Sequence, residues 1–304
     1  MKKSLVFWGE KYLFSPGPLE WLISILLLPL SFLYCFVVWV RYKRSVSKDF
    51  GLPIISVGNL IVGGSGKTPL TVALVSAYTN PAIVLRGYAR ESTGLFVVSD
   101  AKKILCDVKC SGDEAMLYAT LLPHAVVIVA EDRIEGVEKA KSMGVEVIFL
   151  DDGYSKHCIK KLDLLIVSKQ KNPFCLPSGP FRERLWRSKK AVIIEENKDF
   201  VRKVSITNPN AKMVLITAIS KPQRLDAYLD ERVIKKVYFP DHHAFTRDEL
   251  VSVLDDTGAQ SLLVTRKDAV KITGYDLPVS FLELELEVDK KVHQTVQDYV
   301  RISS

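Results

Sequence analysis

No two of the five cysteines (Cys35, Cys106, Cys110, Cys158, Cys175) form a C-x-x-C pair, and their number is odd. That argues against a disulfide framework and a zinc site, and it favours a reducing compartment. Histidine is scarce too. Apart from the adjacent His242 and His243, which read as a turn or as part of a metal site, no histidine or cysteine cluster has metal-ligand spacing. The composition excludes disorder, with 48% hydrophobic and 25% charged residues. At 304 residues there is room for one large α/β domain or two medium ones. A net charge of +7 and a pI near 9.0 suit nucleic acid, an anionic membrane or a phosphorylated substrate alike, so charge selects none of them.

Between Trp21 and Val40 charge is missing altogether: WLISILLLPLSFLYCFVVWV. A helix of that length reaches about 30 Å, the thickness of a hydrocarbon core. Trp21 and Trp39 stand near its ends as interfacial anchors, and Arg41, Lys43 and Arg44 follow at once. The run is too long for a signal peptide, and no small-residue cleavage site follows it. These features predict a membrane helix over residues 21–40, which Pro29 allows to be kinked or half-inserted. Lys2, Lys3 and Lys11 lie before it, so the charge asymmetry leans only slightly towards a cytoplasmic C-terminal body.

Leu52–Val57 reads as a short buried strand that runs into Gly58-Asn-Leu-Ile-Val-Gly-Gly-Ser-Gly-Lys-Thr-Pro69 and then a helical stretch. Strand, glycine loop and helix in this order are the context of a Walker A phosphate loop. Gly63, Gly64, Ser65 and Gly66 would turn backbone N–H groups towards phosphate oxygens. Lys67 supplies a charge for the β/γ-phosphates, Thr68 a hydroxyl for Mg²⁺, and Pro69 follows in the opening helix. Ile61 stands where the strict pattern has its first glycine. Val62 stands where the positioning ATPases that share G-G-x-G-K-T carry a signature lysine, which weighs against that class.

Beyond the loop, apolar strands alternate with helical segments, as in a doubly wound α/β sheet. Val145–Asp151 is an apolar strand ending in Asp151 and Asp152, the Walker B arrangement for Mg²⁺. The blocks SVGNLIVGGSGKTP, LRGYAR, SGDEAMLYA, EDR, IFLDDGYSKH, LPSGPFRERLWR, FPDHHAFT and VTRKDAVK then appear in order over nearly the whole chain. Together they resemble the tetraacyldisaccharide 4′-kinases of lipid A synthesis.

The resemblance implies an α/β P-loop NTPase-like fold with a mostly parallel sheet, an N-terminal membrane helix and a smaller C-terminal α/β lobe. Residues 1–44 would be the anchor, 45–205 the kinase core, and 206–304 the lobe that closes over the active site. The implied reaction moves the γ-phosphate of ATP, with Mg²⁺, to the 4′-hydroxyl of a tetraacylated glucosamine disaccharide 1-phosphate. The implied partners are that lipid and the inner leaflet of the cytoplasmic membrane; no nucleic acid and no obligate protein partner are expected. Asp113 matches the acid that takes the hydroxyl proton, His242 the histidine that pairs with it across the lobes, and Asp151 and Asp152 the metal acids beside Thr68. Read from the residues alone, Asp113 also suits an N-cap of the helix EAMLYATLL. Arg182, Arg184 and Arg187 suit either a solvated face or a phosphate. Three departures from the family pattern stand out: Ala89 for a glycine, Arg266 for a glutamate, and Ser155-Lys156 before a histidine, His157, displaced by one. The competing class is a membrane-tethered P-loop ATPase that switches partners; a dead scaffold conflicts with intact Lys67, Thr68 and Asp151.

Overall fold

The structure, a computed structural model, describes residues 2–64, 66–220 and 222–303. Three helices lead the chain: α1 (Lys2–Phe14), α2 (Pro18–Leu26) and α3 (Leu28–Arg44). The single helix expected over 21–40 is therefore two, meeting at a bend of 59°. Pro29 falls in the first turn of α3, where its missing N–H costs nothing and its ring cannot continue the preceding helix. No single described helix is long and apolar enough to cross a membrane; the bent pair together has the length and composition.

One side of this pair leaves Leu22, Leu26, Phe32, Leu33 and Phe36 exposed. The other packs on the loop spanning residues 172–188. Ser24 Oγ donates to the Ser178 carbonyl (2.5 Å), Ser31 Oγ to Cys175 (2.9 Å) and the Tyr34 hydroxyl to Arg182 (3.1 Å). Cys35 and Cys175 are joined in a disulfide there, contrary to the expectation from the sequence. They lie 140 residues apart, and only the docking of α3 on the loop makes them neighbours.

The first sheet is built from β1 (Ile54–Asn59), β2 (Pro81–Leu85), β3 (Phe96–Asp100), β4 (Val126–Val129), β5 (Val147–Asp151), β6 (Leu162–Val167) and β7 (Val192–Glu195). Its order is β3-β4-β2-β5-β1-β6-β7, with every pair parallel except β3–β4. Helices α4 (Lys67–Val75), α5 (Val108–Ser111), α6 (Asp113–Leu121) and α7 (Arg133–Ser142) alternate with the strands. Strands β1, β2, β4 and β5 are buried along their whole length because helices cover both faces, which explains their unbroken apolar runs. Ile55, Val57 and Phe149 meet Leu70, Leu74 and Tyr118 of α4 and α6 on one face. Ile54, Ile148 and Leu150 meet Val137 and Ala140 of α7 on the other.

The second sheet has the order β10-β9-β11-β12-β8, from β8 (Phe200–Thr207), β9 (Met213–Thr217), β10 (Val233–Tyr238), β11 (Ser261–Thr265) and β12 (Val279–Val288). Helices α8 (Arg247–Thr257) and α9 (Arg266–Ala269) flank β11 in sequence. Strand β8 starts ahead of residue 206 and pairs antiparallel with β12. The last helix, α10 (Lys290–Ser303), returns to the first sheet, where Val292 and Val296 pack with Leu164 and Ile194 and with Phe200 at the start of β8.

Candidate active site

Strand β1 ends at Asn59 and the glycine loop carries the chain to the start of α4, so the loop lies at the carboxyl edge of a parallel sheet, where such folds bind ligands. Gly66, the residue before α4, has φ +87°, a conformation that disfavours any side chain. Lys67 and Thr68 open α4, whose free N–H groups and dipole favour an anion. Gly63 is also left-handed, the Gly64 carbonyl accepts from Arg224 (3.2 Å), and Pro69 occupies the first helical turn; Ser65 lies outside the described residues. Ile61 stands where a glycine was expected because this stretch is extended: it bridges to Phe181, and the Val62 N–H donates to the Pro180 carbonyl (2.9 Å).

Asp151 ends β5 buried, and among the described residues its Oδ1 has no hydrogen-bond partner. Burial raises its pKa, and the like charges of Glu114 and Asp152 add to the rise against the opposing Lys67. Asp152 takes a left-handed φ of +53°, unusual for a non-glycine and typical of strained functional positions. Its carboxylate is held by Arg182 and lies 3.7 Å from Lys67 Nζ. Burial would raise its pKa, but these two cations prevail and lower it. Arg182 also donates to Asn59 Oδ1 (2.8 Å), 3.5 Å from Lys67 Nζ.

Asp113 does not cap its helix. Gly112 holds the cap position at φ +80°, where a Cβ would sit 2.8 Å from the Tyr88 carbonyl. Asp113 is instead the first residue of α6, and His242 Nδ1 reaches its Oδ2 at 2.9 Å from the other sheet. Burial pushes the Asp113 carboxyl up, but the His242 hydrogen bond, Lys267, the His242 charge and Lys271 together bring it down to about 2. The same hydrogen bond raises His242 against the effect of burial and of Lys267. His242 is itself left-handed, at φ +59°. His243 turns away to Glu249 (2.8 Å) and stacks on Phe239, so the two histidines form no shared site. Among the described residues, no group of three or more His, Cys, Asp or Glu side chains is placed to hold a metal by itself.

Beside the Asp152–Arg182 pair lies a cavity of about 160 Å³ lined by Tyr34, Arg41, Asn59, Asp152, Tyr154 and Arg182. Arg184 is spent on local structure, donating to Cys175 Sγ (3.3 Å) and the Pro173 carbonyl (2.5 Å). His157 is buried against Lys189 (2.8 Å) and 3.8 Å from Glu183, which pairs with Arg41. Asn59, Arg41, Glu183 and Lys271 were not marked as site residues by their spacing; Asn59 adjoins the glycine loop, and Glu183 and Lys271 lie within the blocks LPSGPFRERLWR and VTRKDAVK.

A family model described as tetraacyldisaccharide-1-P 4′-kinase matches residues 23–301. The chain belongs to this family. Tetraacyldisaccharide 4′-kinase of Aliarcobacter butzleri is 45% identical over 302 residues, 96% of either chain. The Helicobacter pylori J99 enzyme of that name is 44% identical over 96% of this chain and 94% of its own. The Campylobacter jejuni NCTC 11168 enzyme is 40% identical over 99% and 98%. Among solved structures, LpxK from Aquifex aeolicus in complex with ATP superposes with a TM-score of 0.75 at 25% identity, covering 91% of this chain and 99% of that one. The fold shared with the family is thus an α/β fold of mostly parallel sheets flanked by helices.

Proposed function

We propose that this member of the family transfers the γ-phosphate of ATP to the 4′-hydroxyl of a tetraacylated glucosamine disaccharide 1-phosphate, a step of lipid A synthesis. The observation that carries the reading is the Asp113–His242 pair, which joins the two lobes beside a phosphate loop. A switching ATPase has no need of such a pair.

Lys67, at the helix N-terminus, is the clamp for the β- and γ-phosphates. Mg²⁺ fits Thr68 and Asp151, because among the described residues one buried oxygen of Asp151 has no partner and the group is crowded by like charge. When bound, it would neutralise phosphate charge during transfer; kinases bind it through one or two carboxylates plus phosphates, so no all-protein cage is needed. Asp152 is committed to Lys67 and Arg182 and thereby orients both. Asp113 accepts the proton of the acceptor hydroxyl while His242 holds it in place. A carboxylate brought down to about 2 is a weak base, so alignment contributes more than proton affinity.

The exposed apolar side of the α2–α3 pair supports attachment of residues 1–44 to the inner membrane, with the catalytic body on the cytoplasmic side. The cavity beside Arg182 then opens between α3 and the phosphate loop, where a lipid headgroup would arrive. The second lobe then starts with β8 at Phe200 and not at residue 206, and α10 packs against the first lobe. ATP consumption by the purified protein, with and without the detergent-solubilised acylated disaccharide, tests the reading. Consumption that depends on the acceptor supports the kinase; acceptor-independent hydrolysis would replace it with a switching ATPase.

A further inference from the structure

The segment VTRKDAVK has no role in the chemistry assigned so far, yet it supplies two of the three cations around Asp113. Lys267 Nζ lies 3.7 Å and Lys271 Nζ 3.5 Å from Asp113 Oδ2, the oxygen that His242 also engages. Lys267 reaches Glu114 as well, at 3.4 Å, and Asp241 stands 3.9 Å from His242 on its far side. The shortest approach of each cation falls on Oδ2. Oδ1 is buried and, among the described residues, has no hydrogen-bond partner. A buried carboxylate oxygen without a partner is costly and calls for an explanation.

Two of the cations, His242 and Lys271, are also linked through one carboxylate. The fully buried Asp268 accepts from Thr217 Oγ1 (2.7 Å), Thr265 Oγ1 (2.8 Å) and the Ala218 N–H (3.1 Å), and it pairs with Lys271 at 3.3 Å. The Ala218 carbonyl in turn accepts the His242 N–H (3.0 Å). One carboxylate therefore ties together the end of β9, the start of α9 and Lys271, and through Ala218 it reaches the His242 backbone; Lys267 is the residue before it in α9.

We propose that Lys267 and Lys271 are positioning residues for phosphoryl transfer: acting from the second lobe, they pin Asp113 by Oδ2 and leave Oδ1 uncommitted as the oxygen that takes the acceptor proton. This rests on the kinase reading above. It also makes a prediction that separates orientation from basicity. Removing a lysine makes the carboxylate a stronger base, because a neighbouring positive charge is lost, yet the reaction should slow.

The test uses the full chain in detergent, comparing Lys267→Met, Lys271→Met and Lys267→Arg with wild type. Turnover is read with ATP and the acylated disaccharide; the Asp113 carboxyl carbon, identified by its loss in Asp113→Asn, is titrated by ¹³C NMR without substrate. Expected is a fall in kcat of about tenfold or more in each Met variant, with KM for ATP within about twofold and recovery in Lys267→Arg. The carboxyl should titrate at higher pH in both Met variants. Lys271 is only 6% exposed and its loss can unsettle the fold, so Lys267, at 22%, carries the decision if Lys271→Met melts early. A Lys267→Met protein with wild-type kcat, or with an unmoved carboxyl titration, overturns the proposal. A wild-type protein that ignores the disaccharide would overturn the kinase reading instead, while the titration still reports on the inter-lobe contact.

Discussion

The first sheet delivers its functional residues at neighbouring strand ends: Asn59 and the glycine loop after β1, Asp151 and Asp152 at the end of β5, paired in register so that Val57 lies against Asp151. The second sheet delivers His242 from the turn after β10 and Lys267 and Lys271 from beyond β11, and these three reach a residue of the first lobe instead of each other. In the first case two short motifs, the strand–loop–helix after β1 and the acid pair ending β5, meet at one edge of the sheet because their strands are paired. In the second, the site exists only where two packed layers meet. Local geometry leaves a motif behind; a meeting of layers leaves scattered single residues.

Changes on either side of the seam can break that contrast. Lys67→Ala should have the largest effect, a loss of activity of several kcal/mol in transition-state stabilisation, with the fold intact because the side chain contacts little besides Asp152 and Asn59. Steady-state kinetics beside a thermal melt would check it, and near wild-type turnover would take the phosphate loop out of the mechanism.

Asp113→Ala and His242→Ala probe the seam itself. Each should lower kcat by on the order of a hundredfold, and the double variant should be little worse than the worse single one. ATP affinity, measured by calorimetry, should survive in all three, since neither residue belongs to the glycine loop. Additive losses would reduce the pair to a structural latch.

Smaller, but specific to the seam, is its pH signature. Asp113 is lowered in the folded state, so its contribution is present above about pH 4 and is lost as pH falls towards 2; from the shift to about 2 it amounts to roughly 2 kcal/mol. His242 is raised, so its contribution is fully present below its ordinary pKa and fades as pH rises through the folded value. Melting temperatures should therefore be highest between these limits. In Asp113→Asn the fall on the alkaline side should flatten, and a wild-type-like slope there would show that the pair contributes nothing to lobe closure.

The smallest effect belongs to the first lobe alone. Ala89 stands where the family pattern has glycine and adopts φ +59° on the surface. Ala89→Gly should relieve a left-handed alanine and stabilise by about 1 kcal/mol or less, read as a slightly higher melting temperature with unchanged kinetics. A lower melting temperature would mean that the extra chain entropy of glycine outweighs the relief.

From its residues alone, this sequence determined the parallel sheet, the phosphate loop and the acid pair. Apolar strands buried on both faces, a glycine-rich turn and an acid at a strand end are each written in consecutive residues. Even the alanine at position 89 and the isoleucine at position 61 were visible as departures, though their conformations were not. Only the tertiary structure decided the rest. It docked α2 and α3 on the 172–188 loop so that Cys35 meets Cys175. It also sent α10 back to the first sheet and gathered His242, Lys267 and Lys271 on one oxygen of Asp113. The physical reason is the same throughout. A side chain's partner across more than a hundred residues is set by which apolar faces bury one another, and that choice belongs to the packed layers as a whole and not to any stretch of chain.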